Sequence, residues 1–142
     1  NKYDDYLINY MLDYETRDSL LNLDKFSDPF NYYLEITEDK EKLKKKVDLV
    51  ETFNYLIGLE IKRRIIYTHQ ERKFIVIFGE KDNNQIAVIW RNIEDLNFEQ
   101  EKKFIENEII SDRKVDKLYV NGDNYLEKSI LIEDQFNKLL FS

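Results

Sequence analysis

Two rhythms of apolar positions run along this chain. Tyr3, Tyr6, Leu7, Tyr10, Met11 and Tyr14 recur every three or four residues, which predicts an amphipathic helix over 2–15. Ser27-Asp28-Pro29 marks a turn, 32–37 reads as a strand, and the lysine-rich run after it reads as a solvated polar link. Asp48 with Glu51 three residues on is a capping-box pattern. Val50, Phe53, Leu56 and Ile57 supply that helix's buried face, and Gly58 suits the left-handed position just past its end.

The rhythm then changes. Three strands are expected at 60–68, 73–79 and 84–90, joined by the short polar links His69 to Arg72 and Glu80 to Asn84, as in antiparallel hairpins. Phe74 to Phe78 and Ile86 to Trp90 are apolar without alternation, so both should be central strands covered on two faces. Asn97 with Gln100 opens a helix to about residue 111, 115–120 is a strand closed by an Asn121-Gly122-Asp123 turn, and a short strand at 129–132 precedes a last helix over 133–140. The helix at 97–111 is long enough to carry the chain across, so 115–120 should run parallel to 84–90. The expected fold is α/β (α+β): a mixed sheet with an α-β-β-β-α-β core flanked by helices. That order is also the one found in restriction-endonuclease-like folds, and by itself it carries no function.

With 142 residues, one domain is expected: an N-terminal helical segment over 1–26 and a mixed-sheet core over 31–142. The chain opens at Asn1 without an initiator Met, as expected where a leader has been removed or a domain has been cut from a longer protein. No apolar run is long enough to span a bilayer, so a soluble globular domain is expected. The absence of cysteine excludes disulfides, zinc-thiolate sites and cysteine nucleophiles. His69 is the only histidine, and Gly58, Gly79 and Gly122 are too scattered for a dinucleotide fingerprint or a P-loop.

Charge is segregated. The chain is −7 overall, with −7 over 1–39, +5 over 40–73 and −5 over 74–142. An acidic chain repels a polyanion at long range, yet its basic stretch could meet one locally. Lys40, Lys42, Lys44, Lys45 and Lys46 read first as a solvated connection. Lys62-Arg63-Arg64 is the more telling cluster. On a regular strand Lys62 and Arg64 face one side, and Arg63 faces the other with Ile61 and Ile65. Such charges either guard a sheet edge or contact phosphates. Arg72 and Lys73 join them as candidate DNA contacts, near the turn end of the same hairpin with residue 72 close to 67.

Other chemistry finds little support. Nucleases of the fold above carry an acid-x-Lys pair on the third core strand, where this chain has Gln85-Ile86-Ala87-Val88-Ile89-Trp90. Glu60-Ile61-Lys62 spells the triplet but falls on the first core strand. His69 reads as a solvent-exposed turn residue, and the tyrosine stripe of 2–15 reads as a packed face, with base stacking as its alternative.

A resemblance covers nearly the whole chain. The segment Tyr10-Met11-Leu12-Asp13-Tyr14-Glu15-Thr16-Arg17-Asp18-Ser19-Leu20-Leu21-Asn22-Leu23-Asp24-Lys25 resembles the region after the catalytic domain in modification subunits of type III-like restriction–modification systems. Val47 to Leu59, Val88-Ile89-Trp90-Arg91 and Tyr119-Val120-Asn121-Gly122-Asp123 are similar to further segments of that family, in the same order, with the match ending at 136–141. These proteins are site-specific, mostly adenine-directed DNA methyltransferases. The resemblance implies a cytoplasmic protein whose parent uses S-adenosylmethionine and whose partners are DNA, the parent's catalytic domain and a restriction subunit. The family's Asp-Pro-Pro-Tyr-type and Phe-x-Gly-x-Gly-like loops have no counterpart here. Asp28-Pro29-Phe30 and Phe78-Gly79-Glu80 come nearest. No catalytic, cofactor or metal residue is therefore carried onto this chain, and both signatures are expected before Asn1.

Overall fold

The computed structural model describes residues 27–141, and of 34–38 and 141 the backbone alone. The helix expected over 2–15 and its tyrosine stripe lie outside the described residues. A 3-10 turn, Pro29–Asn31, leads into a hairpin of β1 (Tyr33–Glu38) and β2 (Glu41–Lys46). Then come α1 (Leu49–Leu56), β3 (Glu60–His69), β4 (Arg72–Lys81) and β5 (Asn84–Arg91). Helix α2 (Phe98–Phe104) runs on as a π-helical turn, Ile105–Ile109, before β6 (Lys117–Val120), β7 (Ser129–Leu131) and α3 (Ile132–Phe141).

The main sheet has five strands in the order β3-β4-β5-β6-β7. β3, β4 and β5 pair antiparallel, and β6 adds parallel to β5, as the crossover length predicts. β7 adds parallel to β6 after only the loop 121–128, a pairing that the sequence reading did not foresee. The central strands are buried on both faces. On one, Ile75, Ile77, Val88 and Trp90 meet α1 and α3, where Phe53 lies against Trp90, Tyr119 and Phe136 with ring centroids 5.4–5.9 Å apart. On the other, Phe74, Val76, Ala87 and Ile89 meet Ile105, Ile109 and Leu126.

Local signals explain the helix ends. The Asp48 carboxylate accepts from the Glu51 N–H at 3.0 Å, and the Asn97 amide oxygen from the Gln100 N–H at 3.1 Å. Gly58 has φ +69°, and the N–H groups of Gly58 and Leu59 turn back to the carbonyls of Tyr55 and Asn54, both at 3.0 Å. That double bond is the Schellman closure.

Four expectations need correction. The lysine-rich run is no link: β2 carries it, paired residue for residue with β1 from Glu38↔Glu41 to Tyr33↔Lys46. Its turn, Asp39-Lys40, has positive φ at both positions, as do Gln70-Glu71 and Asp82-Asn83. These primed two-residue turns match strand twist, and they fix residue 72 opposite 69 rather than near 67. His69 closes β3 half-buried, its ring stacked on Phe104 at 4.1 Å, because the turn docks on α2 through Gln70 and Gln100. Finally, β3 bulges between Ile61 and Arg63, so Ile61 stands opposite Gly79 and Arg63 opposite Phe78. Those two partners are adjacent, so Ile61 and Arg63 lie on opposite faces, contrary to simple alternation.

The bulge needs the glycine opposite it. A Cβ on Gly79 would sit 2.5 Å from the Glu60 carbonyl oxygen and 2.7 Å from Leu59 Cδ1. Backbone cannot retreat as a side chain can, so Gly79→Ala is expected to destabilise the chain by about 1–3 kcal/mol. Urea denaturation measures this as a lowered midpoint; an unchanged midpoint would show that the bulge yields freely.

Candidate nucleic-acid interface

Among the described residues, one cluster of charged side chains is closed and another is open. The closed one lies at the carboxyl ends of β5 and β6. Arg91 is fully buried and grips Glu101 of α2 in two parallel hydrogen bonds, Nε to Oε2 at 2.6 Å and Nη2 to Oε1 at 2.8 Å. Nη2 also donates to the Asp123 carbonyl at 2.6 Å. Asn121 extends the sheet with its side chain, accepting from the Arg91 N–H at 2.9 Å and donating to the Arg91 carbonyl at 2.8 Å. Glu133 takes the Gly122 N–H on both carboxylate oxygens, at 3.1 and 2.9 Å. Apart from Arg91 Nη1, which is buried without a hydrogen-bond partner, these groups turn inward on backbone or on one another, so the cluster acts as a clasp.

The open place is at the other end of the sheet. Lys62 and Arg63 of β3 and Arg113 and Lys114 of the loop before β6 line a cleft of about 500 Å³, floored by Phe78, Gly79, Gln85 and Ile86. No carboxylate lines it. Local contacts place Lys62 and the loop that carries Arg113 and Lys114. The Arg113 N–H closes onto the Ile110 carbonyl at 3.2 Å after the π-helical turn, and its guanidinium lies over the Phe78 ring, 3.9 Å from the centroid. Asp116 ties the same loop to the start of β5 through a reciprocal pair with Gln85, each bond 2.7 Å. Lys62 Nζ bonds Glu60 at 2.9 Å on the exposed edge, and that hydrogen bond raises its pKa. The triplet Glu60-Ile61-Lys62 is thus paired within itself. Among the described residues no group of three or more His, Asp or Glu side chains is placed to hold a metal, and no helix among them is long and apolar enough to cross a membrane.

The five candidate residues part company. Lys62 and Arg63 line this cleft, while Arg64 and Lys73 line a smaller one, about 370 Å³, on the opposite face with Lys46 and Phe30. Arg64 also stands 3.9 Å from Glu51 of α1, and Lys73 lies over the Phe30 ring at 4.4 Å. Arg72 serves the fold: its guanidinium donates to the carbonyls of Asn92 and, at 2.8 Å, Glu94, pinning the loop that leads to α2. Arg113 and Lys114 were missed as candidates. The signal for them was available, since a strand parallel to 84–90 must begin beside residue 85 and bring its preceding residues to the same end.

Compared with protein-family models, with curated proteins and with solved structures, the chain gives no match.

The clasp has a pH signature. Burial pushes the Glu133 carboxyl up from 4.5 to about 7, against the opposing pull of the Gly122 N–H and Arg91. The folded chain therefore binds a proton there that the unfolded chain has released, and stability falls as pH rises from about 4.5 to about 7. Each tenfold in proton affinity is worth about 1.4 kcal/mol, which makes the loss on the order of 3 kcal/mol. Glu133→Gln keeps an oxygen for the Gly122 N–H and is expected to flatten that fall in chemical denaturation between pH 5 and 8. A slope equal to that of the unaltered chain would assign the pH dependence elsewhere.

Proposed function

We propose that this chain is a non-catalytic C-terminal domain of a site-specific, adenine-directed DNA methyltransferase of a type III-like restriction–modification system, and that it supports DNA engagement. One observation carries the reading: in a chain of net charge −7, Lys62, Arg63, Arg113 and Lys114 converge on one cleft with no carboxylate in its wall. The sequence resemblance, whose segments fall in family order along the chain, supports the placement in the parent enzyme. The parent's own catalytic domain would hold S-adenosylmethionine and the target adenine; a restriction subunit is a further partner of the parent.

The chemistry is that of phosphate neutralisation. Lysine and arginine release condensed counterions from DNA, and each contact contributes about 0.9 to the slope of log affinity against log salt. Repulsion from the acidic remainder of the domain acts within roughly 8 Å and is largely screened beyond that at physiological salt. Binding is therefore weak, salt-sensitive and sequence-independent, with specificity held elsewhere in the parent. The pattern differs from a mere guard on a sheet edge because Arg113 and Lys114 lie on no edge strand.

The test is titration of a labelled duplex with the full chain at several salt concentrations, repeated with Arg63→Ala/Lys114→Ala. The slope is expected to flatten by about 1.8. An unchanged slope would mean that the cleft touches no DNA and that the domain serves as a structural cap.

A further inference from the structure

The β1–β2 hairpin stands apart from the five-stranded sheet as a two-stranded sheet of its own. Its base is closed by the Val47 N–H donating to the Tyr32 carbonyl at 3.0 Å, and its far end by the Asp39-Lys40 turn. An isolated two-stranded ribbon is marginal in water, and this one leaves Tyr33 and Leu43 exposed at 53% and 36%.

Lys42, Lys44 and Lys46 occupy alternate positions of β2 and so share one face, in steps of about 6.8 Å. All three are exposed. Lys46 also lines the 370 Å³ cleft with Arg64 and Lys73, so the lysine face continues from the ribbon onto β3 and β4. Of the acids near this track Asp48 caps α1 and Glu51 stands beside Arg64, while on the ribbon Glu35 shares the lysine face opposite Lys44, Glu38 and Glu41 pair in register on the other face, and Asp39 lies in the turn. A polyanion with charges repeated along its length fits such a track better than a single anion does.

Shape selects the groove. The major groove of B-DNA, about 12 Å wide, admits a two-stranded ribbon with the phosphates as its rims, and three lysines spaced along one face suit those rims. Six residues per strand give the ribbon a reach of about 20 Å. We infer that the β1–β2 ribbon enters the major groove of duplex DNA, with Lys42, Lys44 and Lys46 on its phosphate rims and Arg64 and Lys73 continuing the contact along the domain. This rests on the reading that the domain engages DNA, and it names a second surface, separate from the Arg63–Lys114 cleft.

The experiment uses the full chain and a labelled duplex. Lys42→Gln/Lys44→Gln, checked for an unchanged melting temperature, is expected to flatten the salt slope by about 1.8. A duplex whose major groove is filled by glucosylated hydroxymethylcytosine is expected to bind at least tenfold more weakly. Netropsin, which occupies the minor groove, is expected to leave binding unchanged. An unchanged slope in the lysine variant, equal binding of the glucosylated duplex, or displacement by netropsin would each overturn the inference. If the Arg63→Ala/Lys114→Ala variant flattens the slope while the ribbon variant does not, the ribbon falls and the proposed function stands. If the unaltered chain binds no duplex, both fall.

Discussion

The buried pairing of Arg91 with Glu101 is the constraint on which the rest of this domain depends. A guanidinium taken wholly out of water is tolerable when its charge is paired, as the Nε and Nη2 bonds to Glu101 pair it here, although Nη1 has no partner. Here one side chain at the end of β5 reaches α2 through Glu101 and the β6–β7 loop through the Asp123 carbonyl, while Asn121 holds its backbone. The two connections that leave antiparallel pairing, the α2 crossover and the short 121–128 loop, are therefore anchored at a single point. Breaking such a pair from one side typically costs about 3–5 kcal/mol, since the other charge is left buried. Glu133 adds a last tie, holding α3 to the Gly122 turn.

With that end of the sheet closed, the opposite end is free to present charge. β6 runs parallel to β5, so the loop that precedes it returns to the start of β5, beside the bulged beginning of β3. The bulge turns Lys62 and Arg63 toward this loop, and the Asp116–Gln85 pair fixes Arg113 and Lys114 next to them. One fold thus yields a desolvated clasp at one end and, at the other, a cleft lined by four cations and no carboxylate.

Much of the fold was legible in the sequence because its signals were local. The Asp48 and Asn97 caps, the Gly58 closure, the two hairpins and the two-sided burial of β4 and β5 each follow from a few neighbouring residues. The parallel entry of β6 followed from connection length. What escaped depends on partners far along the chain. Leu43 is the sole apolar residue between Lys40 and Lys46, so β2 shows no alternation of its own and becomes a strand only by pairing with β1. The bulge at 61–63 is set by Gly79, and the clasp joins Arg91 to residues 10 to 32 positions away. The candidate site was half legible: Lys62 and Arg63 stood out as a run, whereas Arg72 proved a backbone clamp and Arg113 with Lys114 emerged only through topology.

Hydrogen–deuterium exchange of the full chain, with and without duplex DNA, tests most directly whether the open end is the working surface. Slower exchange in the presence of DNA is expected at 62–64 and 113–114, with the clasp amides of Arg91, Asn121 and Gly122 unchanged. Bound DNA that leaves 62–64 and 113–114 exchanging at their free rates would contradict the assignment of that cleft.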